Sequence, residues 1–242
     1  MAIDPAHSID LKVLCAGALS TIIGELAPAF ERASGNTVSV TYERSGMVRT
    51  HVLAGKIVDV VMTTQDAVDD LVQQKMVVPD SVAIVGRSRI GVAVRAGTGK
   101  PDIGSVTSFK RALLNAKSIA YADPATGSPS GNHFVRVLQQ LGIASKVAPK
   151  LKRIGAGRGG VVVVCEVVAS GDAELGIQQI AEILAVSDVE LADALPSELQ
   201  KTTIFSIAIG SRASNLNLAR RFLQFITSEA SSVVVKAKGM ER

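Results

Sequence analysis

Five short loops rich in small and hydroxyl residues each follow a predicted strand and precede a predicted helix. They span residues 16–21 (AGALST), 44–47 (RSGM), 63–65 (TTQ), 127–131 (GSPSG) and 155–160 (GAGRGG). Small residues let the backbone approach a ligand, and hydroxyl groups add hydrogen-bond donors. Helix N-termini favour anions because they present free N–H groups and a partial positive charge. A turn with an N-cap would explain each loop alone, but together they predict an anion-binding site.

The candidate ligand-binding residues come from all of these loops, because ligands of open parallel sheets bind where a strand ends and the next helix begins. In the first half of the chain they are Ala18, Leu19, Ser20, Arg44, Ser45, Gly46, Thr63 and Thr64. In the second half they are Ser128, Ser130, Gly131 and Arg158. The sequence leaves open whether Ser20 or Thr21 supplies the inward hydroxyl of the first loop.

Other kinds of site are disfavoured by the motifs of the chain. It has neither a nucleophile elbow nor a Walker phosphate loop, and no metal-ligand spacing. The GAGRGG segment shares only its composition with a dinucleotide fingerprint, and lacks the spacing and the following acidic residue. The formal charge of +4 comes without a basic run. We therefore expect no cofactor, no metal and no nucleic-acid partner, but a small anionic ligand and a monomeric protein.

The composition is that of a globular chain with an aliphatic core. Of the 242 residues 47% are hydrophobic and 3% aromatic, and Trp is absent. Cys15 and Cys165 lie in apolar runs, so we expect two buried thiols rather than a disulfide. No apolar stretch is long enough to span a bilayer. Residues 1–8 lack the features of a signal peptide and are interpreted as a leader remnant or tag scar. We therefore expect a periplasmic protein whose signal peptide was removed. If Met1 is the native start, the protein would instead be cytoplasmic.

The elements that must position these loops alternate between strand and helix. Strands at 9–16, 37–43 and 58–63, with helices at 20–33 and 45–54 between them, predict a βαβαβ unit with a parallel sheet. Further strands are predicted at 89–95, 118–122, 150–154, 174–177, 188–191 and 202–210. Further helices are predicted at 65–75, 108–115, 132–141, 161–170, 180–184, 217–227 and up to 239. The segment 161–170 carries four consecutive valines, so a strand is the alternative there.

Several of these segments together resemble the molybdate-binding family of type II periplasmic binding proteins over roughly residues 10–240. They are AGALSTIIGELAPAFERASGNTVSVTYERSG, DVVMTTQD, YADPATGSPSGNHFVRVLQQLGI, VASGDAELGIQQI and RRFLQFITSEASSVVVKAKGM. The resemblance implies two α/β lobes, each a mostly parallel sheet flanked by helices, with the ligand in the cleft between them. We expect lobe 1 to comprise 9–90 with 204–242, and lobe 2 to comprise 91–203. The strands at 89–95 and 202–210 would carry the chain between them.

The resemblance also assigns ligand roles, with informative departures. It keeps a serine at Ser45, places Ser130 near the ligand, and puts Gln178 or Gln179 where the family often has a tyrosine. Ala18 stands where the family has a hydroxyl. A guanidinium pairs bidentately with a carboxylate, whereas neutral donors suffice for a tetrahedral oxyanion. Arg158, together with Arg44 and Arg49, therefore favours an organic polycarboxylate over molybdate, although each arginine could instead be solvated or held in a structural salt bridge.

Two functions remain open, a solute-binding protein that serves an ABC-type transporter and an isomerase. Aconitate isomerase resembles the same family, and its reaction, a proton shift along an allylic frame, needs a general base and a clamp for carboxylates. His133, just after the SPSG loop, is the candidate base because imidazole titrates near neutrality. Its alternative is a helix-face residue without a role. Glu43 and Glu166 are the other bases within reach of the predicted loops.

Overall fold

The structure is a computed structural model that describes residues 8–155 and 163–242. The chain forms two compact units. Unit 1 runs up to Arg87 and resumes with Ile204–Arg242, and unit 2 is Ser88–Thr203. The chain thus passes between the units twice, after Arg87 and after Thr203.

Strands and helices alternate along most of the described chain. The strands are β1 Asp10–Ala16, β2 Thr37–Glu43, β3 Val60–Thr64, β4 Ala83–Ser88, β5 Ile90–Arg95, β6 Ile119–Ala122, β7 Leu151–Ile154, β8 Leu175–Gln179, β9 Val189–Ala194 and β10 Thr203–Ile209. The α-helices are α1 Ser20–Ser34, α2 Ser45–Leu53, α3 Gln65–Gln73, α4 Val106–Asn115, α5 Pro129–Gln140, α6 Ala144–Val147, α7 Val163–Ala169, α8 Ile180–Ile183, α9 Leu216–Thr227 and α10 Glu229–Ala237.

Unit 1 contains a five-stranded sheet in the order β2-β1-β3-β10-β4. Strand β1 is parallel to β2 and to β3, while β10 is antiparallel to β3. The predicted βαβαβ arrangement is therefore confirmed. Because parallel strands end on the same side of a sheet, the carboxyl ends of β1, β2 and β3 (Ala16, Glu43 and Thr64) lie together. We call this the unit 1 edge.

Unit 2 contains a second five-stranded sheet, in the order β7-β6-β8-β5-β9. Strand β6 is parallel to β7 and β8, and β5 is antiparallel to β8 and β9. The carboxyl ends of β6, β7 and β8 (Ala122, Ile154 and Gln179) therefore meet on one side, which we call the unit 2 edge. Each sheet thus contains both parallel and antiparallel strand pairs and is flanked by helices, which is the α/β architecture that was predicted for each lobe.

Aliphatic side chains fill both cores, and the few aromatic rings are placed at helix contacts. In unit 1, Phe30 of α1 meets Phe222 of α9 edge to face, with ring centroids 5.1 Å apart. In unit 2, Tyr121 of β6 packs similarly on Phe134 of α5 at 5.3 Å. Edge-to-face pairs add about 0.5–1.5 kcal/mol beyond area burial. The second pair fixes α5 against the strand that precedes it, and so helps to position the unit 2 edge.

Several predicted boundaries were wrong for identifiable reasons. Strand β4 was not predicted, because the break between it and β5 is a single residue, Arg89. Helix α4 is capped by Ser105, whereas Ser108 is the reciprocal partner within the capping box. Helix α5 begins at Pro129, with Ser128 as N-cap, rather than at residue 132. The helix predicted for the valine-rich segment is confirmed by α7, Val163–Ala169, and the strand alternative was wrong.

The two cysteines are buried and free, as predicted, one in β1 and one in α7. Burial raises the pKa of the Cys15 thiol far above its usual value. Burial does the same for Cys165, and the nearby carboxylates of Glu182 and Glu166 add to the effect. Across residues 8–155 and 163–242, no helix has the length and apolar character needed to cross a membrane.

Asp59, just before β3, ties three segments of unit 1 together. Its carboxylate accepts hydrogen bonds from Lys12 N (2.8 Å), Ser214 N (2.6 Å) and Ser214 Oγ (2.7 Å). Burial alone would raise the pKa of this carboxyl, but the hydrogen bonds outweigh burial and lower it below its ordinary 3.8. The ionised form therefore holds β1 and the start of α9 beside β3.

We expect Asp59→Asn to lower the free energy of unfolding by about 2–3 kcal/mol at pH 7, because the amide leaves a buried N–H donor unsatisfied. A depressed carboxyl pKa contributes stability that is present above the unfolded pKa and lost as the pH falls through the folded one. The gap between wild type and variant should therefore shrink below about pH 4. Urea denaturation across pH measures this, with the exposed Asp80→Asn as control. A gap independent of pH would contradict the role of the charge.

Candidate anion-binding site

Three helices begin at the unit 1 edge without side-chain caps. The N-cap residues of α1, α2 and α3 are Leu19, Arg44 and Thr64, and none of them makes a side-chain capping bond. By contrast α4, α5, α9 and α10 are capped by Ser or Asn side chains. The first turns of α1 to α3 thus keep N–H groups that no N-cap side chain covers, together with the positive ends of their dipoles. Such an arrangement can hold an anion.

Hydroxyl groups surround these helix ends. Ser20 is the first residue of α1, and Thr21 beside it is equally half-buried. Ser45 is the first residue of α2 and is buried. Thr63 is buried as well, and its Oγ1 donates to the Ser45 carbonyl at 3.1 Å. This hydrogen bond occupies the hydroxyl proton of Thr63 and fixes the start of α2 against β3. Thr64, the last residue of β3, is only partly buried.

The remaining predicted residues of the first loops contribute backbone rather than polar side chains. Ala18 and Leu19 lie buried in a single 3₁₀ turn, Gly17–Leu19, that joins β1 to α1. Gly46 follows Ser45 in the first turn of α2 and leaves the helix end open to approach. The backbone at these positions, not the side chains, could therefore contact a ligand.

The two arginines beside Ser45 have different environments. Arg44 is buried and has an extended backbone (φ −68°, ψ 147°) at the N-cap position of α2. Arg49 donates from Nε to Asp70 Oδ2 at 2.6 Å, linking α2 to α3. Arg49 is therefore in a structural ion pair, which was one of the alternatives that its sequence position allowed.

Tyr42 is a residue of the unit 1 edge that sequence reasoning missed. Its hydroxyl lies 3.5 Å from the Ser20 carbonyl and can donate to it. Burial, and to a lesser degree the charge of Cys15, raise the pKa of Tyr42 to about 12. The phenol therefore remains protonated near neutral pH and joins β2 to the start of α1. Its place near the end of an alternating strand was the only available signal.

At the unit 2 edge three polar side chains form a buried chain of hydrogen bonds. Ser128 Oγ and Ser130 Oγ are 3.1 Å apart, and Ser130 Oγ donates to Gln178 Oε1 at 2.5 Å. The same Gln178 oxygen accepts from Gln179 N at 3.0 Å. Ser128 also caps α5 through a long contact from Gly131 N (3.5 Å). The structure thus brings together three residues that were predicted separately.

Gln178 and Gln179 are the last two residues of β8, although the strand was predicted to end at residue 177. Gln179 Nε2 donates to Thr203 Oγ1 at 2.9 Å, so its amide is held beside the point where the chain returns to unit 1. Its buried Oε1 has no hydrogen-bond partner among the described residues. Thr203 was not predicted, because nothing in its local sequence marks this long-range contact.

Gly131 is required for packing at this edge. A Cβ at this position would lie 1.9 Å from the carbonyl oxygen of Ala122, the last residue of β6. Helix α5 can therefore approach its preceding strand only with glycine at this position. The sequence suggested that the small residue makes room for a ligand, whereas the structure gives it a steric partner within the fold.

His133 lies two residues after Gly131 on α5 and is partly buried. Its Nε2 is 2.7 Å from the Leu199 carbonyl oxygen. A carbonyl can only accept, so the neutral ring must carry its proton on Nε2, which leaves Nδ1 as the basic nitrogen. This bond holds the ring against the segment before β10. A catalytic role for His133 remains a prediction, and Nδ1 would have to perform it.

Three other sequence candidates remain, Arg158, Glu166 and Glu43. Arg158 lies outside the described residues, as does most of its glycine-rich loop, which follows β7. Glu166 is exposed on α7, and Glu43 is half-buried at the end of β2. Glu43 is thus one carboxylate at the unit 1 edge, and Asp66 in the first turn of α3 is another.

A separate cavity of about 530 Å³ opens at the opposite end of unit 2, near Val94 and Leu175. Its charged lining residues are Lys100, Asp102, Arg111 and Glu174. Lys100 pairs with Glu190 and Arg111 with Asp102, each at 3.4 Å, and Glu174 accepts from Lys117 N at 2.7 Å. Both cations are paired with carboxylates and Glu174 adds a negative charge, so the cavity does not favour an anion as the unit 1 edge does. Among the described residues no group of three or more His, Cys, Asp or Glu could hold a metal ion.

Comparison with known proteins is consistent with this geometry. The chain is 32% identical over 237 residues to an aconitate isomerase from Pseudomonas sp., covering 96% of this chain and 87% of that protein. Its fold is similar to that of the periplasmic molybdate-binding protein of Azotobacter vinelandii (TM-score 0.77, 21% identity, 96% and 99% of the two chains covered). It is also similar to a sulfate-binding protein of Mycobacterium tuberculosis H37Rv (TM-score 0.76, 20% identity, 96% and 86% covered).

A family model described as bacterial extracellular solute-binding protein matches residues 11–241, nearly the whole chain. This assignment agrees with the three parallel strands at the core of each unit and with the loops at the two edges. The chain therefore belongs to the bacterial extracellular solute-binding proteins.

Proposed function

We propose that this protein binds a small organic polycarboxylate, with residues of the unit 1 edge contributing to its recognition. The observation that carries the proposal is the set of three helix N-termini, those of α1, α2 and α3, that lack side-chain caps and begin at one sheet edge. Each presents N–H donors and a partial positive charge to the same region. A polyanion uses such an arrangement best, because it offers several acceptor groups at once.

The choice of a carboxylate over a tetrahedral oxyanion is supported by charge. Arg44 is buried at the start of α2, and Arg158 stands in the sequence between β7 and α7, outside the described residues. Guanidinium groups match planar carboxylates through paired hydrogen bonds, whereas an oxyanion can be held by neutral donors alone. The aconitate isomerase relative acts on a tricarboxylate, which favours the same ligand class.

A thermal-shift screen tests the proposal. The protein is melted with and without molybdate, tungstate, sulfate, citrate, and cis- and trans-aconitate, each near millimolar. A ligand that binds only the folded state raises the melting temperature by mass action. We expect the tricarboxylates to stabilise the protein and the oxyanions to have no effect. Stabilisation by molybdate alone would overturn the carboxylate assignment in favour of an oxyanion carrier.

A second candidate function is isomerisation of an unsaturated tricarboxylic acid. It is favoured by the 32% identity to an aconitate isomerase over nearly the full chain. The reaction removes a proton from an allylic carbon and returns one at the other end of the allylic frame, so it needs a base such as His133 Nδ1 or Glu43. Proton NMR of cis-aconitate incubated with the protein distinguishes the functions. A growing trans-aconitate signal identifies an isomerase, while an unchanged spectrum with retained binding identifies a carrier.

As a carrier, the protein would present its ligand to an ABC-type transporter in the periplasm. This assignment rests on the family description as extracellular solute-binding proteins. A substrate-binding domain of a putative molybdenum ABC transporter from Clostridium difficile has a similar fold, with a TM-score of 0.72. We propose that the protein acts there as a monomer, and sedimentation velocity with and without ligand would test this.

Arg158→Ala tests whether a guanidinium recognises the ligand. If Arg158 pairs with a carboxylate away from water, its removal should weaken binding by about 2–5 kcal/mol, because the partner charge is left unpaired. Isothermal titration calorimetry with trans-aconitate measures the change, and Arg136→Ala, an exposed arginine of α5, is the matched control. An unchanged affinity would remove Arg158 from the site and strengthen the oxyanion alternative.

A further inference from the structure

The two faces of the unit 2 sheet are covered by different helices. Along β6 the side chains alternate, because successive residues of a strand point to opposite faces of its sheet. Ile119 and Tyr121 pack in a cluster with residues of α4, α5 and α6. Ala120 and Ala122 pack in a second cluster with residues of α7 and α8. Helices α4, α5 and α6 therefore form one outer layer of unit 2, and α7 and α8 form the other.

These two layers carry opposite charges. Helices α4, α5 and α6 contain four cationic residues and no Asp or Glu, whereas α7 and α8 contain two Glu and no Lys or Arg. The segment 103–153 carries eight cationic residues and one acidic residue, so its formal charge of +7 exceeds the +4 of the whole chain. We use the name basic face for the cations of the first layer and its connections, which are Lys110, Arg111, Lys117, Arg136, Lys146 and Lys150.

Few carboxylates neutralise the basic face. Arg111 pairs with Asp102 at 3.4 Å, but both side chains are well exposed, so solvent screens this pair. Lys150 Nζ donates to the carbonyl oxygens of Leu114 and Ala116 (2.5 and 2.8 Å), and these bonds bring no negative charge to it. Among the described residues, no Asp or Glu lies within ion-pairing distance of the other four cations, which are Lys110, Lys117, Arg136 and Lys146.

The cations share a continuous and mostly polar surface. Helix α6 contacts both α4 and α5, and Lys150 connects the chain after α6 to the end of α4. The most exposed large hydrophobic side chain of this layer is Leu114, at only 36%. Asp102 and Glu174 lie at its border, at the rim of the cavity described above. The surface therefore recognises a partner by charge rather than through an apolar groove.

We propose that the basic face docks unit 2 against the anionic phospholipid surface of a membrane. Lipid headgroups present a broad negative surface without a fixed shape, which matches cations that are spread over three helices on long, flexible side chains. The same surface repels the acidic layer of α7 and α8, so the asymmetry of charge also selects one orientation. This inference goes beyond the proposed function, because the contact concentrates the protein at a membrane whether or not a ligand is bound.

Cosedimentation with vesicles tests the docking, using the full chain without ligand. The vesicles consist of phosphatidylcholine, either alone or with about one-third phosphatidylglycerol. We expect binding only to the anionic vesicles, and at least about 10-fold weaker binding when NaCl is raised from about 50 to about 300 mM, because salt screens exposed charges. Equal affinity for neutral vesicles, or no binding to anionic ones, would overturn the proposal.

Two triple variants of equal net charge separate the basic face from the charge of the whole protein. The first removes one cation from each of α4, α5 and α6, as Lys110→Gln, Arg136→Gln and Lys146→Gln. The second removes three exposed lysines of unit 1, as Lys12→Gln, Lys56→Gln and Lys236→Gln. At roughly 5-fold per cation near the surface, the first should bind anionic vesicles about 100-fold more weakly, and the second less than about 5-fold more weakly. Equal losses would assign the binding to net charge and overturn the role of the basic face.

Single labels report the orientation, since the native thiols are buried. Ser145→Cys introduces a label in α6 beside Lys146, and Ser170→Cys introduces one directly after α7, both at exposed positions. With a polarity-sensitive fluorophore, only the label in α6 should change its emission when anionic vesicles are added. Equal changes at both positions would contradict docking through the basic face.

Poly-L-glutamate is the probe for a different kind of partner. Binding of the wild-type protein to this polymer, without binding to anionic vesicles, would overturn the lipid assignment in favour of an acidic protein. Binding to anionic vesicles that excess polymer displaces only at low salt supports an electrostatic lipid contact.

Discussion

Ser45→Asp is expected to abolish anion binding without unfolding the protein. Ser45 is the first residue of α2 and is buried at the unit 1 edge, where the proposed ligand meets three helix ends. A carboxylate at about 4 Å from a bound anion costs roughly 4 kcal/mol at an effective dielectric constant near 20. We therefore expect calorimetry with a tricarboxylate to show affinity lower by more than about 100-fold.

The effect on stability should be smaller than the effect on binding. An acidic side chain in the first turn of a helix contributes about 0.3–1 kcal/mol, which offsets part of the cost of placing a charge at the buried Ser45 position, so the free variant should remain folded with a melting temperature at or below that of wild type. Leu216→Asp is the matched control, because it adds the same charge to the first residue of α9, which follows β10 from the opposite edge of the same sheet. Equal affinities of wild type and Ser45→Asp would place the anion away from α2.

Gly131→Ala is expected to be the most damaging single-methyl change in unit 2. The added Cβ would lie 1.9 Å from the carbonyl oxygen of Ala122. Because the Cβ position is fixed by the backbone of α5 and the oxygen belongs to the backbone of β6, no side-chain rotation can relieve this contact. Helix α5 would have to move away from β6, which separates Ser130 from Gln178. We expect the free energy of unfolding to drop by at least about 3 kcal/mol, at the upper end of overpacking costs.

Gly24→Ala provides a control of opposite sign. Gly24 lies exposed within α1, and a Cβ there would meet nothing within 4 Å. Alanine has the higher helix propensity, so this variant should gain about 0.5–1 kcal/mol. Chemical denaturation followed by circular dichroism measures both variants. If Gly131→Ala were as stable as wild type, α5 would have to lie further from β6 than described.

Local patterns predicted the elements whose signals are local. The alternation in TVSVTYE predicted β2 at its observed bounds, and the apolar run before Gly17 predicted β1 to within one residue. The start of α5 was placed three residues late, because Ser128-Pro129 was interpreted as turn residues although serine at the N-cap followed by proline is a strong helix start. Strand β4 was missed because apolar periodicity alone could not separate it from β5.

The composition of the site was predictable, but its connections were not. Hydroxyl-rich loops after parallel strands indicated an anion site, and the structure brings Ser128 and Ser130 together with Gln178. Ser130 and Gln178 are 48 residues apart, and their contact depends on β6 and β8 being neighbours in the sheet. No periodicity encodes strand order. The bond from Ser130 to Gln178 and the anchoring of Gln179 by Thr203 therefore emerge only from the assembled fold.

The buried thiols give the molecule two independent internal reporters. Cys15 lies in β1 of unit 1 and Cys165 lies in α7 of unit 2, and neither is paired. A thiol that is inaccessible and protonated reacts with an alkylating reagent only after the structure around it opens. Labelling rates resolved by mass spectrometry would therefore give the opening free energy of each unit separately. A ligand that protects one cysteine more than the other would reveal which unit contributes more of the binding energy.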